Sequence, residues 1–138
     1  MMTGTEPRTR PTTDRIRVLV VDDGADVRFL VRRLLARERT FQVVGEATDG
    51  EEAIDAATEL QPQIVLLDLS MPRMRGDEAL PAIVTAAPDS MIAVFSTSIT
   101  DERCRELQDL GAFDCYDKLE MPRLPELLER DWQRFSSR

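Results

Sequence analysis

Apolar residues in this chain fall into two alternating rhythms: short β-branched runs, and longer stretches in which they recur every three or four positions. Ile16 and Val18 to Val21 make the first run. Val27, Leu30, Val31, Leu34 and Leu35 then stand at helical spacing and predict a helix over residues 25–38. Phe41 to Ala47 is the second run. Asp49, with Glu52 one helical turn on, opens a capping-box-like start; Ala53, Ala56, Ala57 and Leu60 carry the stripe, and Pro62 closes it. Ile64 to Leu67 is the third run, followed by a helix over 77–87 in which Pro81 is tolerable only in or near the first turn. Met91 to Phe95 is the fourth run. Cys104, Leu107 and Leu110 stripe a further helix that Gly111 ends as a C′ residue, Cys115 to Asp117 is a short fifth strand, and Leu124, Leu127, Leu128, Trp132 and Phe135 line the last helix.

Strands that alternate with helices pair in parallel through right-handed crossovers, so the pattern predicts an α/β, doubly wound five-stranded sheet with helices on both faces. Ligands of such sheets bind beyond the carboxyl ends of the strands, where the strand order reverses. Asp22 and Asp23 follow the first run, Asp68 follows the third, Ser96 ends the fourth and Lys118 ends the fifth. Any one of these residues alone ends a strand or caps a turn. Together they bring acids, a hydroxyl and an ammonium to one edge. Crowded carboxylates repel one another, and a hard divalent cation with oxygen ligands, such as Mg2+, relieves that repulsion.

Composition narrows the function. The 138 residues suffice for one domain with a single core. Acids outnumber bases 26 to 18, and the net charge of −8 argues against direct nucleic-acid binding, which needs clustered Lys and Arg. Cys104 and Cys115 lack C-x-x-C spacing, and the chain has no His, which disfavours zinc and excludes Ser-His-Asp or Cys-His catalysis. Any phosphohistidine must therefore come from another protein. Free thiols fit a reducing cytoplasm. Residues 1–14 hold Thr, Pro, Arg and Gly without an apolar stretch and are expected to be a flexible tail, leaving 15–138 as the domain. Apolar runs stay far below the ~20 residues that span a bilayer, so no membrane insertion is expected.

Four segments then match one family in order and on the right elements: VLVVDD (Val18 to Asp23), LLDLSMPRMRGDEAL (Leu66 to Leu80), VFSTS (Val94 to Ser98) and GAFDCYDK (Gly111 to Lys118). From Ile16 to Phe135 the chain resembles the receiver domain of two-component response regulators. The resemblance implies a flavodoxin-like sheet in order 2-1-3-4-5, Asp68 as phosphoryl acceptor, Asp22 and Asp23 positioning Mg2+, and the Ser70 backbone carbonyl as a further ligand. Lys118 and the Ser96 hydroxyl would stabilise the phosphoryl oxygens. Ser70 and Ser98 match the positions that tune dephosphorylation; being small and polar, they imply a short-lived phosphoryl group. Met71, Pro72 and Gly76 shape the loop after Asp68, with Met71 and Trp132 read as packing residues.

The departures concern signal output. Leu119 follows Lys118 where the family has Pro; a cis bond before a non-proline residue costs roughly 3–4 kcal/mol, so a trans bond or a different loop is expected. Cys115 holds the place of the aromatic switch residue. The adjacent Tyr116 faces the other side of its strand and is no substitute. Thr97 stands where Ala or Gly is common and adds bulk near Asp68. The resulting expectation is a stand-alone, chemotaxis-regulator-like receiver, not itself an enzyme. It would be phosphorylated by a sensor histidine kinase or histidine phosphotransfer protein and would act on a downstream protein target through the fourth helix, fifth strand and fifth helix. The alternative is a phosphorylation-independent interaction module with a decayed switch. An aspartyl-phosphate phosphatase is the weakest reading, because Ser70 stands where such enzymes need a second acid.

Overall fold

A computed structural model describes residues 14–138; of the expected N-terminal tail over 1–14, all but Asp14 lies outside the described residues. The elements follow in the order β1 (Ile16–Val21), α1 (Ala25–Ala36), β2 (Phe41–Ala47), α2 (Gly50–Leu60), β3 (Ile64–Leu67), α3 (Gly76–Ala86), β4 (Met91–Ser96), α4 (Asp101–Asp109), β5 (Asp114–Asp117) and α5 (Leu124–Ser136). The strands form one parallel sheet in the order β2-β1-β3-β4-β5.

Strands covered on both faces read as continuous apolar runs, and β3 and β4 are buried along their whole length. Alternate residues divide the core between two layers. Leu19, Val21, Val65, Leu67, Ile92 and Val94 meet α2, α3 and α4, whereas Val18, Val20, Ile64, Leu66, Ala93 and Phe95 meet α1 and α5. On β2 the register slips by one residue opposite Val18 and Leu19, and this bulge brings Gly45 under Leu60, whose Cδ1 would lie 2.7 Å from an added Cβ.

The sheet's hydrogen bonding extends one residue past two strands, and this places the polar edge. The Asp22 N–H donates to the Ala47 carbonyl at 3.0 Å, and the Asp68 N–H donates to the Val21 carbonyl at 2.9 Å. Both aspartates thus leave the sheet with their backbones pinned.

Helix ends follow local chemistry. Asp49 Oδ1 accepts the Glu52 N–H at 2.8 Å, while the reciprocal Glu52 carboxylate accepts from the N–H and hydroxyl of Thr48 rather than from Asp49. Gly111, at φ 123°, ends α4 in a Schellman motif: its N–H donates to the Gln108 carbonyl and that of Ala112 donates to Leu107.

Three expectations need correction. Pro81 sits at the sixth position of α3, beyond its first turn, and removes the N–H that would bond the Asp77 carbonyl. Helix α1 ends two residues early, at Ala36. Lys118 does not end β5 but opens a 3-10 helix, Lys118–Arg123, capped by the Asp117 carboxylate, which accepts the Leu119 N–H at 2.9 Å. No cis peptide bond occurs among the described residues, so the Lys118–Leu119 bond is trans, as expected.

Candidate functional site: an acid cluster at the carboxyl edge of the sheet

Asp22 and Asp68 are each only 3% exposed, and their carboxylates face one ammonium. Lys118 Nζ lies 2.7 Å from Asp22 Oδ2 and 3.4 Å from Asp68 Oδ1. Backbone groups add to this: Asp22 Oδ1 accepts the Gly24 N–H at 2.8 Å, and Asp68 Oδ1, the oxygen facing Lys118, also accepts the Ser70 N–H at 3.3 Å. Asp23 is exposed at the rim, yet carboxylate oxygens of Asp22, Asp23 and Asp68 all lie within 4.8 Å of one another.

The electrostatics show an under-neutralised acid. Burial, and next the charge of Asp22, push the Asp68 carboxyl above the usual carboxylate range; Lys118 and the Ser70 N–H offset this only in part. Burial by itself would lower the Lys118 pKa, but its contacts with Asp22 and Asp68 outweigh burial and raise it. The ammonium is therefore firmly charged. Three convergent carboxylates with hard oxygen donors fit a small divalent cation, since opposed ligands around Mg2+ stand roughly 4 Å apart.

Three contacts hold the loop after Asp68. A Cβ at Gly76 would lie 2.0 Å from the Asp68 carbonyl oxygen, so only glycine permits that approach. The Gly50 N–H donates to the Met74 carbonyl at 2.9 Å. The guanidinium of Arg73, a residue at φ 62°, pairs with the buried Asp49 carboxylate, Nε donating at 2.9 Å. Met71 plugs the core beside them, as expected.

Ser70, Ser96, Thr97 and Ser98 gather around an adjoining cavity of about 370 Å³ whose wall also carries Arg75, Asp77 and Arg103. Ser96 is buried and Thr97 exposed. Ser98 is held at φ 57°, and its N–H donates to Asp117 Oδ2 at 3.1 Å. The expected residues therefore fall into an acid cluster (Asp22, Asp23, Asp68, Lys118) and a hydroxyl-lined annex (Ser70, Ser96, Thr97, Ser98).

Cys115 and Tyr116 join neither. Cys115 packs into the layer under α2, α3 and α4, and burial pushes its thiol well above the usual range. Tyr116 points to the opposite layer, where its hydroxyl donates to Asp131 Oδ2 at 2.6 Å. The strand alternation predicted this separation.

Sequence reasoning missed Asp117, which ties the β4–α4 loop to the 3-10 helix, and the Arg75–Asp77–Arg103 group. For Asp117 there was a signal, since an aspartate that ends a strand is a residue type that caps the turn after it. Arg103 and Asp77 are 26 positions apart and gave none.

Residues 18–129 match the family model described as the response regulator receiver domain. The chain belongs to the response regulator receiver family. A protein-glutamate methylesterase/protein-glutamine glutaminase of Thermotoga maritima is 44% identical over 91 residues, 65% of this chain and 26% of that protein. A similarly named Geobacter sulfurreducens protein is 40% identical over 100 residues, 72% of this chain and 27% of that one. This receiver thus spans about a quarter of the length of each of these relatives. Among solved structures, the response regulator domain of Thermotoga maritima CheB superposes with a TM-score of 0.79 at 33% identity, covering 88% of this chain and 97% of that one. A LuxR-family two-component response regulator from Aurantimonas sp. SI85-9A1 gives 0.79 at 30% identity, covering 90% and 87%. Receivers bind Mg2+ at an acidic pocket and serve phosphorelay signalling, and this chain carries an Asp cluster at the carboxyl edge of its sheet. No described helix is long and apolar enough to cross a membrane.

Proposed function

We propose that this receiver accepts a phosphoryl group on Asp68 from a phosphohistidine and signals through protein contact. The observation that carries this reading is the Lys118 ammonium shared between two buried carboxylates, Asp22 and Asp68. Asp22, Asp23 and Asp68, with the Ser70 backbone carbonyl, would hold the Mg2+, whose chemistry is to neutralise charge on the phosphoryl oxygens.

The chain's own residues supply the rest. An Asp68 oxygen attacks phosphorus, the P–N bond breaks with its electron pair returning to the imidazole of the donor, and an acyl phosphate results. Phosphoryl transfer is catalysed mainly by positioning and charge neutralisation. Positioning comes from the pinned Asp68 backbone and from Gly76, neutralisation from the Lys118 ammonium, and a further hydrogen bond from the Ser96 hydroxyl. Water later attacks the acyl phosphate and restores the carboxylate. The donor would be a sensor histidine kinase or a histidine phosphotransfer protein; the receiver itself is a switch rather than an enzyme acting on other substrates.

Incubation with Mg2+ and acetyl phosphate tests the assignment by intact mass. We expect the wild type to gain one phosphoryl group and Asp68→Asn to gain none; uptake by Asp68→Asn, or none by the wild type, overturns it. With small polar Ser70 and Ser98 beside the route of water, the phosphoryl group should decay within minutes to an hour, and persistence for many hours with Mg2+ present counts against that part. A stand-alone receiver further predicts a native product of 15.7 kDa on immunoblot of the source cells.

One observation favours the second reading, an interaction module independent of phosphorylation. The tyrosine of β5 is held inside by Asp131 while Cys115 occupies the switch position, so an aromatic rotation is not available here. Partner capture that is unchanged in Asp68→Asn would support the module.

A further inference from the structure

The annex beside the acid cluster has two cations on its wall, and both rest on one carboxylate. Arg103 Nη2 donates to Asp77 Oδ2 at 2.7 Å, while Arg75 donates to Asp77 through Nε at 3.1 Å and Nη2 at 3.4 Å. An ion pair between α3 and α4 is the plain description. Three features go beyond it.

First, the cavity is shared: Arg103 lines the same space as Ser96 and as Ser70, whose N–H donates to the Asp68 carboxylate. Second, Asp77 has a spare partner. If Arg103 left, Arg75 would still hold the carboxylate, and no buried charge would be stranded. Third, α4 is lightly anchored, burying only Leu107 among its nine residues. Arg103 lies in the first turn of that helix, and its own N–H donates to the Thr100 hydroxyl at 3.0 Å, so its displacement is transmitted to the β4–α4 loop.

We propose that Arg103 is a phosphoryl ligand held in reserve: when Asp68 carries a phosphoryl group, the guanidinium leaves Asp77 for the phosphoryl oxygens and draws the first turn of α4 toward the site. The inference rests on Asp68 being the acceptor. A phosphoryl group offers more negative charge and more acceptor oxygens than a carboxylate, and the planar guanidinium fork suits it. The contacts being given up, with Asp77 and with Glu106 Oε1 at 3.2 Å, are of the weak kind, since Arg103 is 38% exposed and such pairs are screened by water and salt. Movement of α4 by this route needs no aromatic at position 115, the very part of the usual switch that this chain lacks.

Beryllofluoride with Mg2+ is the probe, titrated calorimetrically into the full chain and followed by hydrogen exchange over residues 101–109. Arg103→Ala should weaken beryllofluoride roughly tenfold, the loss of a hydrogen bond to a charged group, and abolish the change in α4 exchange expected of the wild type. Asp77→Asn should tighten binding about threefold by freeing the guanidinium, but only while Arg103 is present. An equal gain from Asp77→Asn in the Arg103→Ala background would show a simple field effect and overturn the proposal. So would an unchanged affinity or an unchanged α4 response in Arg103→Ala. Wild type that binds no beryllofluoride at all sinks the acceptor assignment itself, a result distinct from binding that ignores Arg103.

Discussion

Two carboxylates in this receiver are equally hidden from water and electrically opposite. Asp68, at the carboxyl edge, shares a single ammonium with Asp22, and burial together with that neighbour pushes its pKa up. Asp131, on α5, is fully buried but accepts from the Tyr116 hydroxyl at 2.6 Å, from Arg134 Nη1 at 2.8 Å and from Arg130 Nε at 3.2 Å. Burial alone would raise its pKa, yet the bonds from Arg130 and Tyr116 hold it below the usual range. The difference teaches what each is for. A buried acid whose partners exceed its needs fastens α5 to β5; a buried acid left short of positive charge costs stability and waits for a cation or an electrophile.

Breaking the satisfied carboxylate should have the largest effect. Asp131→Ala leaves the Tyr116 hydroxyl only the Leu127 carbonyl, at 3.3 Å, and opens a void under α5. The expected loss is about 2–4 kcal/mol, read as a lower urea midpoint with an unchanged slope. Tyr116→Phe removes one donor and leaves both arginines in place, so roughly 1–2 kcal/mol should go. If Tyr116→Phe cost as much as Asp131→Ala, the hydroxyl rather than the network would be holding the helix. Neither substitution should impair phosphoryl uptake at Asp68, because Tyr116 lies in the layer opposite Cys115 and contributes nothing to the acid cluster.

The strands and the acid cluster were legible before any coordinates because both rest on strong local rules. Buried parallel strands announce themselves as unbroken apolar runs, and the residue after each run is carried to the same edge by topology. Resemblance then assigned Asp22, Asp23, Asp68 and Lys118 their places. Pairings across the chain were not legible: nothing in local sequence joins Arg103 to Asp77 or Ser98 to Asp117. The 3-10 helix after β5 was missed since KLEMPR is too short to show a period and contains a proline. Asp131 is the instructive omission. Leu124, Leu127 and Leu128 lie on the buried stripe of α5, and position 131 continues it, so a charge on the apolar phase was visible and pointed to a buried pair.

The smallest effect distinguishes the two acids most sharply, because its sign is reversed. Removing the charge of Asp68 in Asp68→Asn should stabilise the fold at neutral pH, on the order of 1 kcal/mol or a few degrees of Tm, while abolishing phosphorylation. For a carboxyl whose folded pKa lies above the ordinary 3.8, the folded state binds the proton more tightly than the unfolded chain. Stability from that source is complete below 3.8 and disappears as pH rises through the folded value. The advantage of Asp68→Asn is therefore absent in acid, grows as pH rises from 3.8 through the folded value, and is constant above it. Asp131 runs the other way: its contribution is present above 3.8 and is lost as pH falls through its lowered folded value, so the deficit of Asp131→Asn shrinks in acid. Thermal melts carried from pH 7 to below 3.8 should thus show both variants drawing toward the wild type in acid from opposite sides, the Asp131 variant only below 3.8. Should Asp68→Asn melt below the wild type at neutral pH, the Lys118 contact would outweigh the burial penalty, and the acid cluster would be a structural ion pair of the same kind as Asp131.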